Sequence, residues 1–354
     1  MSKLRLAVVG VGAFGSNHAR VLHELTTELE GKEGVDLVGV VDSDHKRGEK
    51  VAKDCQTLYF ASIAELLANA RPDAASVAVP TVAHQRVSCE LMEGGVDVLI
   101  EKPLSSSLKG ADEIIATAER LNRVAQVGHL ERFNPAVRAV LPLVTCPMFF
   151  EVHRLSVFTP RSLDVDVVLD LMIHDLDVVL NLVKSPVREV RAVGLPVLTN
   201  KVDIASVRVE FENGCVANFT ASRVSTEKVR KLRFFQPHQY VSLDFSRRDV
   251  FTLAVRPAEA APLSMLEMAG QGEDELPTPI PYKPPIDSEE PLRAELRAFM
   301  NSVRTRQQPV VTLQDGRRAL ELALAINARI EEHRHRTGLE ELVRRFPPVT
   351  PGWK

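Results

Sequence analysis

The sequence predicts an α/β protein, with a doubly wound parallel sheet at the N-terminal end and an α+β domain carrying a mostly antiparallel sheet after it. Three observations lead there. Short apolar runs alternate with helical stretches over residues 1–130. Beyond them, strand-like runs follow one another without helices between. The 354 residues, at roughly 150 per domain, suffice for two unequal domains that each bury a core without disulfides or metal.

The strand-like runs of the first part are Leu4 to Val9, Asp36 to Val41, Ala75 to Val79, Val96 to Ile100 and Val124 to Val127. Each is apolar and bounded by Gly, Pro or Asp, as buried parallel strands are. Helical patterns lie between them at Ile63 to Ala70, Ala83 to Met92 and Leu108 to Leu121. This rhythm implies right-handed crossovers. A helix at Pro135 to Leu141, a strand at Met148 to Ser156 and a long helix at Val165 to Val183 come next. Alternating segments follow at Glu189 to Val197, Ile204 to Phe211, Val216 to Arg223, Val229 to Phe235 and Tyr240 to Phe245, with Asn213-Gly214 as a hairpin signal.

Residues 256–291 hold eight of the 22 prolines and read as an extended loop. Two helices end the pattern, Glu289 to Val303 and Leu313 to Glu332, the second with Leu320, Leu324 and Ala328 on one face. The expected division is residues 1–128 for the first domain, 129–312 for the second, 313–335 for a helix packing back, and 336–354 for a tail.

Lys plus Arg (44) against Asp plus Glu (47) gives a net charge of −3, which argues against nucleic-acid binding through bulk positive charge. No apolar run reaches the length of a membrane span, and the N-terminus lacks the pattern of a signal peptide, so a cytoplasmic protein is expected. Cys55, Cys89, Cys146 and Cys215 are scattered without metal-ligand spacing and read as free thiols; no metal is expected.

Gly10-Val11-Gly12-Ala13-Phe14-Gly15 follows the first strand and opens the first helix. In a Rossmann fold, Gly10 permits the tight turn, Gly12 lets backbone approach a pyrophosphate, and Gly15 lets helix pack on strand. The pyrophosphate then meets N–H groups at the helix N-terminus. Asp42 closes the second strand, where a carboxylate accepts the ribose hydroxyls of an adenosine and repels a 2′-phosphate, so NAD is the expected cofactor. Lys46 and Arg47 lie close enough to soften that preference. The spacing to Asp42 exceeds the usual ~20 residues, because Thr26 to Gly34 reads as a polar insertion.

A strand end that reads Glu101-Lys102-Pro103 puts a lysine at the crevice where such sheets bind ligands. Lysines held there shift their pKa downward readily, which suits proton transfer. Asp166, Asp170, His174, Asp177 and Asn181 fall at steps of four, four, three and four along the long helix. A stripe of short polar groups and one histidine suits a helix lining a cleft rather than one facing solvent. Pro80, Thr81 and His84 close the fourth strand; His84 is either satisfied locally or in contact with cofactor or substrate.

Strand–GVGAFG, Asp42, Pro80 to His84, Glu101-Lys102-Pro103 and Asp170-x-x-x-His174, in this order, resemble the glucose–fructose oxidoreductase/inositol dehydrogenase (Gfo/Idh/MocA) family. The resemblance implies oxidation or reduction of a sugar carbinol with NAD(P), and a Lys–Pro bond that is commonly cis. It makes Lys102 the proton acceptor or hydrogen-bond donor at the reacting hydroxyl, with His174 sharing that duty and Asp170 binding or orienting a neighbouring hydroxyl. Gly10, Gly12, Ala13, Phe14, Gly15, Asp42, Pro80, Thr81, His84, Glu101 and Lys102 would contact the cofactor.

Gly128 to Pro135 (GHLERFNP) and Ala221 to Ser225, followed by Glu227 to Leu232, are similar to segments of nucleotide-sugar members, above all UDP-N-acetylglucosamine 3-dehydrogenases. On that likeness Arg132, Asn134, Arg223 and Lys228 would bind substrate, since Arg forks match phosphate oxygens; as bare residues they equally suit surface salt bridges. In such relatives the 3-keto sugar passes to a PLP aminotransferase for lipid A or other envelope glycans, and the second sheets pair into homodimers or homotetramers. The alternatives are an inositol, free-hexose or UDP-uronic-acid dehydrogenase of the same fold, and a non-catalytic NAD-sensing protein.

Overall fold

The computed structural model describes residues 3–29, 34–159, 165–255, 279–339, 341 and 345. It forms two compact units, Met1–Pro135 with Asp287–Glu321, and Ala136–Ile286 with Leu322–Lys354.

In the first unit the chain runs β1 (Leu4–Val9), α1 (Gly15–Glu28), β2 (Val35–Val41), α2 (His45–Asp54), β3 (Tyr59–Phe60), α3 (Ile63–Asn69), β4 (Ala74–Val77), α4 (His84–Glu93), β5 (Asp97–Glu101), α5 (Leu108–Arg120) and β6 (Ala125–Gly128). The six strands lie in the order β3-β2-β1-β4-β5-β6, and every pairing is parallel. Every residue of β4 and β5 is buried, as a strand covered by helices on both faces must be. Because β1 is flanked by β2 on one side and β4 on the other, the strand order reverses there. That switch point places a ligand crevice at the carboxyl ends of β1 and β4. Helix starts are fixed by short polar caps: Ser62 Oγ accepts from Glu65 N at 3.2 Å and Ser107 Oγ from Gly110 N at 3.1 Å.

The expected boundary at residue 128 gives way to a discontinuous first unit. A late helix, α8 (Pro291–Thr305), carries Leu292, Leu296, Phe299, Met300 and Val303 into the core shared with Leu6, Val8, Leu22 and Leu25. Its apolar face therefore belongs with α1 and β1 rather than with the preceding sheet.

The second unit contains α6 (Pro135–Val140), β7 (Phe149–Val157), α7 (Ile173–Val183), β8 (Val187–Leu195), β9 (Ile204–Phe211), β10 (Val216–Ser225), β11 (Val229–Gln236), β12 (Gln239–Asp244), β13 (Asp249–Val255) and β14 (Pro279–Tyr282). These strands form one sheet in the order β14-β13-β12-β11-β7-β10-β9-β8. It is antiparallel except for the β7–β10 pair. Strand β9 alternates between buried and more exposed positions, the period-two signature of a sheet covered on one face. The β9–β10 turn uses Gly214 at φ +84, with Asn213 Oδ1 accepting from Cys215 N at 3.1 Å. The final helix, α9 (Leu313–Thr337), has residues in both units.

Three strands depart from expectation, and the short β3 is the first of them. β13 has no counterpart in the sequence reading, and β14 lies inside the proline-rich stretch read as loop. An edge strand tolerates prolines because one row of its backbone groups needs no partner, and β14 occupies the edge. Residues 256–278 of that stretch, and 30–33 of the expected polar insertion, lie outside the described residues.

The long helix is also not uniform. A π-helical turn at Val168–Met172 precedes α7. Asp166 caps this turn, its Oδ1 accepting from Val168 N at 2.9 Å and Leu169 N at 3.0 Å, and Oδ2 accepts from Asn327 Nδ2 at 3.0 Å. It is thus a helix-starting residue and not a member of the cleft stripe. Arg154 of β7, 2% exposed, holds α7 on the sheet: its Nε and Nη2 both donate to Asp175 at 2.7 Å, and its guanidinium lies 5.3 Å from the Phe245 ring centroid.

Candidate active site

The turn after β1 is built as its glycines demand. Gly10 has φ +85, and a Cβ there would come within 2.8 Å of the Ala78 carbonyl and Val79 N, so any other residue strains the turn and strikes the β4 exit. A Cβ on Gly15 would lie 1.8 Å from Gly10 O, so α1 can only start this close to β1 without a side chain. A Cβ on Gly12 would meet nothing within 4 Å, which leaves open space beside the backbone. Helix α1 begins with no side-chain cap and no acidic residue in its first turn, leaving its N-terminal field for an anion. The adjoining cleft, 720 Å³, is lined among others by Gly10, Gly12, Asp42, Arg47, Ser62 and Pro80. These features fit a dinucleotide pyrophosphate with its adenosine toward β2. Ala13 and Phe14 are exposed in the turn; Pro80 is exposed and Thr81 half-buried at the β4 exit.

Asp42 is buried, and its carboxylate is fully engaged. Val11 N and Asp44 N donate to Oδ2 and Oδ1, each at 2.8 Å. Arg47 Nε donates to Oδ2 at 3.0 Å and Arg47 Nη2 to Oδ1 at 2.6 Å. Burial alone would raise its pKa; the Arg47 guanidinium and the two backbone N–H groups outweigh that and hold the carboxyl below its usual range. A carboxylate offers about four lone-pair positions, and here all are taken. Ribose hydroxyls reach Asp42 only when Arg47, whose side chain is 45% exposed, withdraws.

At the end of β5 the Lys102–Pro103 peptide is cis, and Lys102 is half-buried. Glu101 turns away from it: its Oε1 lies 3.0 Å from His18 Nε2 of α1, and His18 Nδ1 lies 2.7 Å from Ser76 Oγ of β4. Alternation along a strand places consecutive side chains on opposite faces, so Glu101 faces the interior behind the crevice and not the cofactor groove, contrary to expectation. His84 is buried too. Its Nδ1 and Nε2 lie 2.9 and 3.0 Å from the carbonyls of Pro103 and Val79, and burial pushes it toward the neutral form despite those carbonyls. Of its two open readings the local one prevails: it ties the β4 exit to the Lys102–Pro103 turn.

Within the second unit, Asp170 sits in the π-helical turn and His174 in the first turn of α7, both half-buried, while Asp177 is buried. Single π-helical turns occur often at functional sites. Three residues expected to meet substrate also have partners within the chain. Arg132 is buried with Nη2 3.6 Å from Asp315 Oδ2. Asn134 Nδ2 donates to Glu131 Oε2 at 2.9 Å. Arg223 Nη2 donates to Val165 O at 2.6 Å, with Nε 3.8 Å from Asp203 Oδ1. Lys228, between β10 and β11, is exposed.

Sequence reasoning passed over His18 and Glu295. Both were detectable: Glu295 falls between Leu292, Leu296 and Phe299 on the apolar face of α8, and His18 shares a helix face with Gly15, Leu22 and Leu25.

A parallel sheet with this switch point, a glycine turn with clear space at Gly12 and a buried acid ending the second strand define a dinucleotide-binding protein. The sequence matches the oxidoreductase family with an NAD-binding Rossmann fold over residues 4–129 and the Gfo/Idh/MocA C-terminal domain over residues 148–236; the chain belongs to the Gfo/Idh/MocA oxidoreductase family. It is 33% identical over 332 residues, 94% of this chain and 98% of the relative, to UDP-N-acetylglucosamine 3-dehydrogenase of Acidithiobacillus ferrooxidans. A solved structure of that enzyme superposes with a TM-score of 0.82 at 32% identity, covering 94% and 99% of the two chains. Inositol 2-dehydrogenase 1 of Saccharopolyspora erythraea is 32% identical over 136 residues, 38% of this chain and 39% of that one. Among the described residues no helix is long and apolar enough to cross a membrane.

Proposed function

We propose that this protein oxidises the C3 hydroxyl of UDP-N-acetylglucosamine with NAD. One observation carries the reading. The likeness to a UDP-N-acetylglucosamine 3-dehydrogenase runs through both units, over 94% of the chain, whereas the likeness to inositol 2-dehydrogenase 1 covers 38%.

NAD, when bound, supplies the hydride acceptor. Gly10, Gly12 and the start of α1 hold the pyrophosphate, and Asp42 receives the adenosine ribose. Lys102 takes the proton of the C3 hydroxyl as that carbon loses hydride, so the carbinol becomes a ketone and one proton leaves through the lysine. His174 shares that proton, and Asp170 orients a neighbouring hydroxyl. Lys228 pairs with the diphosphate. The ketone is the substrate class of a PLP aminotransferase, which places the enzyme before a 3-amino sugar for lipid A or another envelope glycan. The four free cysteines accord with a cytoplasmic site, and the open face of the second sheet suits a homodimer or homotetramer.

The test is incubation with UDP-N-acetylglucosamine, NAD, glutamate and a PLP aminotransferase, followed by mass spectrometry. A 3-amino sugar nucleotide supports the proposal. Untouched nucleotide sugar beside oxidised inositol, free hexose or UDP-uronic acid refutes it, and NAD binding with no turnover on any sugar points to a sensor.

A further inference from the structure

Behind the strand end that carries Lys102 lies a closed group of three titratable residues. His18 of α1, Glu101 of β5 and Glu295 of α8 are all buried, and one ligand atom from each lies within 4.8 Å of the others. His18 and Glu295 are 0% exposed. Among the described residues neither carboxyl oxygen of Glu295 has a hydrogen-bond partner, and the Oε1 of buried Gln126 beside it has none either; Gln126 Nε2 instead reaches the Glu295 backbone carbonyl at 3.5 Å. His18 Nε2 and Glu101 Oε1 stand 3.0 Å apart without hydrogen-bond alignment. Gly128 leaves room for this arrangement, since a Cβ there would lie 2.9 Å from Glu101 Oε1.

A closed interior tolerates one carboxylate beside a histidine but not two carboxylates with no donors between them. The charge that acts on Glu295 here is that of Glu101, which raises its pKa further. Ser76 is spent on His18 Nδ1. The turn Leu130–Phe133, which packs on α8, carries Glu131 and Arg132, and these are paired with Asn134 and Asp315. One of the three groups must therefore carry an extra proton. Glu295 is the most deeply buried carboxyl, and burial together with the Glu101 charge pushes its pKa well above the ordinary carboxyl value.

We propose that Glu295 is a positioning residue for Lys102: it stays a neutral carboxylic acid, so that Glu101 bears the single negative charge, remains against His18 and holds the Glu101–Lys102–Pro103 strand end in place. The link to turnover rests on the proton-accepting role proposed for Lys102; the protonation of Glu295 does not. When Glu295 ionises at alkaline pH, the two carboxylates repel, the His18–Glu101 contact opens and Lys102 loses its anchor.

The experiment uses the full-length protein and Glu295→Gln, which keeps the shape of the neutral acid. Infrared spectra of the wild type in deuterium oxide at neutral pH should show a buried protonated-carboxyl band that Glu295→Gln lacks. The kcat of the wild type should fall on the alkaline side with the KM for NAD unchanged. Glu295→Gln should keep kcat within about threefold at neutral pH and lose that fall. If Glu295→Gln does not fold, Glu295→Met gives the same comparison, as it too cannot ionise. Absence of the band overturns the proposal, and so does a stoichiometric divalent cation in the purified protein. An alkaline limb that is identical in wild type and variant refutes the positioning role, which a purely structural glutamate would leave unmoved. If no sugar is turned over, the band alone still decides the protonation.

Discussion

Replacing Arg47 with alanine should move the balance between NAD and NADP strongly toward NAD, and the size follows from the Asp42 geometry. In the wild type a ribose diol reaches Asp42 only by displacing the two Arg47 hydrogen bonds at 3.0 and 2.6 Å. Arg47 is 45% exposed, so separating the pair costs about 1 kcal/mol, the upper end for a solvent-screened ion pair. Arg47→Ala removes that cost, and NAD should bind roughly fivefold more tightly, since about 1.4 kcal/mol is a factor of ten. A 2′-phosphate loses its guanidinium partner in the same variant. A charge-assisted hydrogen bond contributes about 2 kcal/mol, so NADP should bind roughly 30-fold more weakly. The two changes multiply to a shift of roughly 150-fold in the ratio. Fluorescence titration of NADH and NADPH against wild type and variant reads it directly. A ratio that moves less than about threefold, or toward NADP, refutes the view that Arg47 competes with the ribose for Asp42.

Four further outcomes follow from the same structure. Lys102→Ala should lose most turnover while binding NADH as the wild type does; unchanged turnover removes Lys102 from the mechanism. Asp175→Ala leaves the buried Arg154 guanidinium without its bidentate partner at 2.7 Å and should cost about 3–5 kcal/mol, read by urea denaturation; a loss under about 1 kcal/mol would contradict the pairing. Gly15→Ala forces a Cβ to within 1.8 Å of Gly10 O, so calorimetry should find NAD binding lost or weakened at least tenfold. Burial pushes the Cys215 thiol up to about 12, so at pH 8 it stays a thiol; iodoacetamide should modify exposed Cys146 while sparing Cys215, as peptide mass mapping will show.

The parallel strands other than β3 were legible because burial on both faces leaves them mostly apolar, as in Val98-Leu99-Ile100 of β5. Helix α2 was not, since HKRGEKVAKD buries only Gly48 and Ala52 and shows no apolar stripe. Strand β14 was masked by Pro279 and Pro281, which an edge strand accepts. The glycine turn could be read from its spacing, and Asp42 from its place at the end of the second strand. The arginines could not, because composition does not separate a cation on a phosphate from one locked to a carboxylate. Arg154 carried a usable sign: it follows Phe150 and Val152 at a step of two in β7 and so had to face inward. The π-helical turn left no mark in the helical periodicity, so Asp166, a cap, was counted with the stripe.

Transfer of deuterium tests the proposed reaction most directly. UDP-N-acetylglucosamine labelled with deuterium at C3 is incubated with the protein and NAD, and the reduced cofactor is isolated and weighed by mass spectrometry. If the C3 carbinol is oxidised by direct hydride transfer, the NADH formed carries the deuterium and Lys102→Ala forms almost none. Unlabelled NADH, or no NADH with the trapping aminotransferase present, contradicts oxidation at C3.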